Sequence, residues 1–446
     1  MMVRRLRQEL YRRGGIDLWM ALAASAIAIL MLVAASEAQA QTFQVLHTFT
    51  GGDDGGNPVV GLTMDRAGNL YGTAQFGGTG NCTGSGLNIP GCGTVFKLTH
   101  RGSGWTFTPL YSFQGWNPTD GAYPQSRVTI ASDGSLYGAT AVGGLLEDCF
   151  PGCGTVYRLQ PPATVCNSVS CQWRETVLHR FTAGQDGNDP TGDLTLDSSG
   201  NVYGTTFKGG GGSSNGTVYE ISPSGGGWNE SILYNFTGGL VGAAPYSGVI
   251  FDAAGNLNGT ATDGGENDFG TVFQLTPSSS GWTGSALWAF SENEDGYGIS
   301  AGLILDSAGN LYGATANGYP NGQAVVFELA RSGGGWSYIP LYGFEGVYGA
   351  GPRGKLLMDS AGNLYGTVYG AYETMNPYGS VFKLTPSDGA WIYTDLYDFT
   401  GGSDGAYPYD GLIMDADGKL YGTTSAGGNS GCQHGNGCGV VFEITP

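Results

Sequence analysis

One short pattern returns seven times along the chain. Its first copy is Gly68-Asn69-Leu70-Tyr71-Gly72-Thr73, and later copies begin at Gly134, Gly200, Gly255, Gly309, Gly362 and Gly418. Successive copies are 66, 66, 55, 54, 53 and 56 residues apart. A period near fifty residues means that one supersecondary unit is stacked or closed upon its neighbours, because a single unit cannot bury its own apolar faces. The fold must therefore be built from seven similar pieces.

The piece itself reads as four short strands. Gly61-Leu62-Thr63-Met64-Asp65 is strand A, and Asp65 to Asn69 is a tight turn of Asp, Gly and Asn. Leu70 to Ala74 is strand B, Gly93 to Thr99 is strand C, and Trp105 to Phe113 is strand D. Four antiparallel strands per repeat is the unit of a β-propeller blade. In strand D, Trp105, Phe107, Tyr111 and Phe113 stand at even spacing, which predicts that they share one face of the sheet. In strand C, Phe96 and Leu98 recur as aromatic and aliphatic pairs through Phe442 and Ile444. Sheets that carry apolar residues on both faces need a neighbouring sheet on each side. Glycine, at 82 of 446 residues, fits many tight turns, and 12% aromatic content excludes a disordered chain.

The two ends favour a closed ring. The last repeat finishes with Val440-Val441-Phe442-Glu443-Ile444-Thr445, a strand C without a following strand D. Val45-Leu46-His47-Thr48-Phe49 matches Pro109-Leu110-Tyr111-Ser112-Phe113 and supplies the missing piece. The expected fold is all-β: a single seven-bladed propeller over residues 41–446, closed by its N-terminal strand. Closure also removes the open sheet edges on which other chains could pair.

Residues 1–40 read as a signal peptide. Arg4, Arg5, Arg7, Arg12 and Arg13 precede the apolar run Leu18–Ala35, and Ala38-Gln39-Ala40 offers a cleavage site. A secreted protein, extracellular or periplasmic, is expected, with no membrane association after cleavage; an uncut run is long enough to remain as an anchor. Eight cysteines fall into four close pairs: Cys82/Cys92, Cys149/Cys153, Cys166/Cys171 and Cys432/Cys438. In an oxidising compartment these predict local disulfides. Zinc is the rival reading, and no two pairs share zinc-ribbon spacing.

The pattern Tyr-Gly-Thr…Gly-Gly…Gly-Thr-Val-Phe-Lys-Leu-Thr…Leu-Tyr-Ser-Phe…Asp-Gly resembles the tandem repeats of bacterial GloVer-type extracellular proteins. The resemblance runs over the whole chain after the leader. It implies an exported bacterial repeat protein, and members of that family often carry a C-terminal sorting or anchoring tail; here Pro446 follows strand C directly. The Asp-x-x-Gly-Asn-Leu-Tyr segment is also similar to blade turns of NHL and sensor-type propellers.

Function is harder to read. The formal charge of −19 argues against nucleic acid, which needs a basic face. In a propeller the D–A and B–C loops share one face. The D–A loops repeat Asp-Gly at Asp54, Asp120, Asp186, Asp295 and Asp404, with Trp116, Tyr123, Tyr246, Tyr297, Tyr348 and Tyr407 nearby. Carboxylates and aromatic rings around a funnel suit a saccharide, since rings stack on sugar faces and carboxylates accept from hydroxyls. Turn formation by Asp-Gly is the competing explanation. Glu292, Glu294 and Asp295 form the densest acidic cluster and the one candidate calcium site, with no other cofactor expected. Asp65, Asp197, Asp252, Asp306, Asp359 and Asp415 open the A–B turns and read as turn formers. The four histidines, His47, His100, His179 and His434, form no Ser-His-Asp or Cys-His set, and no singular polar cluster stands out. These features favour a monomeric, non-enzymatic propeller that binds a glycan or protein. The alternative is a secreted glycoside hydrolase or polysaccharide lyase, and the third is a purely structural surface protein.

Overall fold

The computed structural model describes residues 41–446 apart from 83–90, 103, 116–119, 146–148, 150, 163–172, 213, 292–294, 318–322, 345–350, 371–375, 430–431 and 433–435. The described residues form seven antiparallel sheets. Blade 1 is typical, with strand A at Thr63–Met64, B at Leu70–Ala74, C at Thr94–Arg101 and D at Gly104–Ser112. Blade 2 adds a short strand, Gly121–Pro124, ahead of its strand A. Phe43–Thr445 is one compact unit.

The ring closes as the repeat requires. Thr42–Thr48 pairs with Val440–Thr445 in the sheet that also holds Leu420–Thr424 and Ile413–Met414. The Phe49 amide donates to the Gly439 carbonyl at 3.1 Å, and the Asn429 side-chain amide donates to the Phe49 carbonyl at 2.6 Å. Phe43 stacks on Tyr397 of blade 6 at 4.0 Å between ring centroids. The first strand thus binds the last blade and its neighbour together.

Each residue of the recurring pattern has a definite task. Asp65 accepts from the amides of Ala67 and Asn69, from the Asn69 side chain and from the Tyr71 hydroxyl, all within 3.1 Å. Burial works to raise its carboxyl, but these four donors outweigh that and hold it below the usual range. Leu70 is fully buried. Gly72 faces Phe96 across the B–C pair, and a Cβ there would stand 2.6 Å from the Phe96 ring. The glycine therefore exists to admit the aromatic of strand C. In blade 4, Asn258 replaces the tyrosine and accepts from Gln274 at 2.9 Å, while Asp252 takes the Arg331 guanidinium at 3.1 Å instead.

Two features depart from the sequence reading. Strand A is only two residues long in each blade, not five. More consequentially, strand D is bulged in blades 1 to 6. In blade 1 Phe96 pairs with Pro109 but Val95 pairs with Tyr111, so Leu110 is the extra residue. A bulge reverses which side the following residues face. Trp105 and Phe107 accordingly pack with Phe49 and Val441 of blade 7, whereas Tyr111 and Phe113 pack with Tyr157 of blade 2. One strand therefore serves both of its neighbours.

Adjacent blades are also latched. Asn57, Tyr123, Asp189, Ala244 and Tyr407 all adopt positive φ, between 54° and 59°. Each donates its amide to a carbonyl of the preceding blade, as Asp189 does to Cys153 at 3.0 Å. The proline that follows lies over a glycine of that blade: a Cβ on Gly154, whose φ is +93°, would be 2.5 Å from Cδ of Pro190.

Candidate functional site

Aligning the seven D–A segments places two residues of each blade on the axis. The upper tier is Val59, Gln125, Thr191, Tyr246, Ser300, Arg353 and Tyr409. The lower tier stands two residues further on, where glycine occupies Gly61, Gly248, Gly302 and Gly411. Blades 2, 3 and 6 break that rule with Arg127, Asp193 and Lys355, and blade 7 adds Asp410 one position earlier. Below them Thr129 and Thr195 face Ile250, Ile304, Leu357 and Ile413. Apart from Gly61 and Gly411, these residues line a cavity of about 670 Å³, a size that suits a small organic ligand.

The polar cluster on the axis is the singular feature that the sequence reading did not find. The Arg127 guanidinium lies 3.1 Å from Asp410 and 3.7 Å from Asp193. The Arg127 amide also donates to Asp193 at 3.1 Å. Asp410 accepts from the amides of Gly61 and Gly411, each at 2.6 Å. Glycine at position 61 is what leaves room, because a Cβ there would meet the Arg127 guanidinium. Burial would raise the Asp410 carboxyl, but Arg127 and the two amides hold it below the ordinary range. Burial wins at Asp193, whose carboxyl is raised, with Asp410 adding to the effect against Arg127 and Lys355. Burial also lowers the Lys355 ammonium, helped by Arg127 and opposed by Asp193 and Asp410. Among the described residues, no side chain or carbonyl hydrogen-bonds that ammonium.

The upper tier is aromatic on one side. Tyr246 of blade 4 reaches Tyr409 of blade 7, and its phenol is raised first by burial and then by that neighbour. The Arg353 guanidinium lies 4.6 Å from the Tyr369 ring centre and 5.8 Å from that of Tyr409. Tyr369 in turn stacks on Tyr407 at 5.2 Å. Arg353 has no carboxylate partner among the described residues, and its Nε is buried without a hydrogen bond.

The residues nominated from the sequence are distributed one blade at a time around the ring, not gathered. Asp54 accepts from His47 at 3.1 Å and from Thr50, and Asp186 accepts from His179 at 3.2 Å and from Thr182. Asp120 takes the Tyr111 hydroxyl, Asp404 the Tyr397 hydroxyl and Asp295 the Trp288 indole, at 3.1 to 3.2 Å. Each carboxylate ties its loop to a strand D ring. Tyr123 is buried in the latch against Phe76, and Tyr297 packs on Phe269. Two nominated rings do reach the axial site: Tyr246 lines the cavity against Tyr409, and Tyr407 stacks on Tyr369 beside Arg353. Trp116, Tyr348, His434, Glu292 and Glu294 lie outside the described residues. Among the described residues no group of three or more His, Cys, Asp or Glu is placed to hold a metal. Disulfides join Cys82 to Cys92, Cys149 to Cys153 and Cys432 to Cys438, while Cys166 and Cys171 lie outside the described residues.

The Gloeobacter/Verrucomicrobia repeat matches residues 35–271 and again 247–446. The chain belongs to that repeat family. No curated protein matches it. Among solved structures it is similar to a protein assigned as the extracellular domain of a one-component system from B. thetaiotaomicron, at 10% identity and a TM-score of 0.52. That match covers 90% of this repeat protein and 39% of the other chain. A gluconolactonase from Xanthomonas campestris matches at 11% identity and a TM-score of 0.40, covering 92% of both chains. A sialidase from Streptococcus pneumoniae matches at 12% identity and a TM-score of 0.43, covering 90% of this chain and 70% of its own. Likeness at such identities establishes the fold alone.

Proposed function

We propose that this repeat protein is an exported binding propeller that takes a saccharide in its axial cavity. The observation that carries the reading is the break in sevenfold repetition at the axis. Four blades place charged residues there, and the tier above adds Tyr246, Tyr409 and Arg353. Repeated positions build a ring, whereas a ligand site needs a few unrepeated groups that fix one orientation. Tyrosine faces beside a guanidinium are suited to a sugar ring with its hydroxyls. The leader-like residues 1–40 and the disulfides support export, and no helix of the described residues is long and apolar enough to cross a membrane.

A hydrolytic reading has one specific point in its favour. Asp193 and Asp410 are driven in opposite directions, the one raised and the other lowered, as an acid and base pair would be. Both carboxylates are, however, engaged by Arg127, which leaves neither directed at a ligand. A glycan array probed with the full-length protein tests the binding reading, with Tyr409→Ala as the control. Binding that is lost in Tyr409→Ala is expected, together with no turnover of any bound glycan. Turnover that disappears in Asp193→Asn would replace the binding reading with the hydrolytic one.

A further inference from the structure

The axial cavity carries more positive than negative charge, in a protein whose formal charge is −19. Among the described residues that line it, three cations, Arg127, Arg353 and Lys355, stand with two acids, Asp193 and Asp410. Arg127 is shared by both carboxylates, which leaves Arg353 and Lys355 without an acidic hydrogen-bond partner among the described residues. Burial lowers the Lys355 ammonium, so keeping it on the axis is unfavourable for the empty fold. Its slot holds glycine in four other blades, so nothing in the architecture demands a lysine there. A cation held at a structural cost, in a cavity, where the repeat would accept glycine, is the mark of a group kept for a ligand.

We infer that the ligand is an anionic saccharide, one bearing a carboxylate, and that Lys355 and Arg353 recognise its charge. The inference rests on the reading that the axial cavity is the binding site. Arg353 is oriented by the faces of Tyr369 and Tyr409, and its Nε is still unpaired. A planar guanidinium of this kind pairs with a carboxylate through two parallel hydrogen bonds. Lys355 lies two residues further along the same segment and supplies a point charge deeper in the cavity. Tyr246 and Tyr409 offer hydroxyls and ring faces to the rest of the sugar, while the Thr129 and Thr195 hydroxyls donate to the Leu194 and Val249 carbonyls.

Calorimetric titration of the full-length protein with three probes tests this: digalacturonate, its dimethyl ester, and free D-galacturonate. Digalacturonate is expected to bind about 10- to 100-fold more tightly than the uncharged ester, the range set by a charge-assisted hydrogen bond. Lys355→Met and Arg353→Met should each weaken digalacturonate far more than the ester and so erase most of that difference. Lys355→Met should also melt no lower than the parent, because it removes an unpaired charge, so lost binding cannot be ascribed to unfolding. Free galacturonate binding as tightly as the dimer would assign the site to monomeric sugar acids; weaker binding would assign it to oligosaccharides, and both agree with the inference. Equal affinity for acid and ester, both lost in Tyr409→Ala, would overturn the charge reading and leave the cavity reading standing. Acid binding that survives Tyr409→Ala and Lys355→Met alike, or no binding of any probe, would overturn both.

Discussion

Replacing Arg127 by methionine should destabilise the ring by about 3 kcal/mol at pH 7, at the lower end of the range for breaking a buried ion pair. Arg127 belongs to blade 2, yet its partners are Asp193 of blade 3 and Asp410 of blade 7. Its side chain is 14% exposed, and those of Asp193 and Asp410 are 32% and 17% exposed. Methionine would fill similar space and leave two partly buried carboxylates without their cation. The backbone amides of Gly61, Gly411 and Lys355 on Asp410 remain, which is why the lower end of the range applies. Urea denaturation provides the measurement, with Asp410→Asn and the double variant completing a cycle. The double variant should lose less than the two single losses added, because asparagine removes the stranded charge. The pH dependence has a definite sign. Asp410 is depressed in the native protein, so its contribution is present at neutral pH and is lost as pH falls through its folded value. In Arg127→Met the stranded Asp410 carboxyl loses the cation that offset its burial and binds its proton more tightly, so the loss should be largest at pH 7 and shrink as pH falls towards 4 and that carboxyl protonates. A loss below about 1 kcal/mol, as for exposed pairs, or one independent of pH, would refute the electrostatic account of the axis.

Glu175 lies between blades with its carboxyl pushed up to about 8, first by burial and then by Asp120. A raised carboxyl binds its proton more tightly when folded, so stability falls as pH rises from about 4.5 to about 8. Glu175→Gln should remove that slope and stabilise the protein on the order of 2–4 kcal/mol at pH 8.5, with little gain at pH 4.5; melting curves at the two values decide it. Gly154→Ala should cost about 2 kcal/mol or more, because it combines positive φ with collision against Pro190, whereas Gly225→Ala, on an exposed C–D turn with nothing near its Cβ, should cost less; urea midpoints compare them. Thiol titration of the denatured, unreduced protein should detect no free cysteine, and two or more per chain would contradict the four-pair assignment.

The ring was legible because its causes are local and repeated. Asp65, Asn69, Tyr71 and Gly72 state the turn, its hydrogen bonds and the space for Phe96 within eight residues, and seven copies leave little doubt about the unit. Closure was legible because Val45–Phe49 carries the spacing of a strand D. The bulge at Leu110 was not, since one extra residue leaves the even spacing of Trp105, Phe107, Tyr111 and Phe113 intact on paper while reversing half of it in space. The axial cluster was missed for the opposite reason. Arg127, Asp193, Lys355 and Asp410 are separated by up to 283 residues and meet only when the ring closes. Their signal was present as departures from repetition: charged residues standing at or beside a glycine slot. Repetition drew the eye to Asp54 and its counterparts, whose carboxylates tie loops to strand D rings.

Closure of the ring underlies the placement of every axial residue, and amide hydrogen exchange on the N-terminal strand tests it most directly. If Thr42–Thr48 completes the last sheet, the hydrogen-bonded amides among Val45 to Phe49 exchange as slowly as those among Tyr111 to Phe113 in blade 1. Exchange of Val45 to Phe49 at the rate of a frayed chain end, with blade 1 still protected, would contradict the closed ring and the axial site with it.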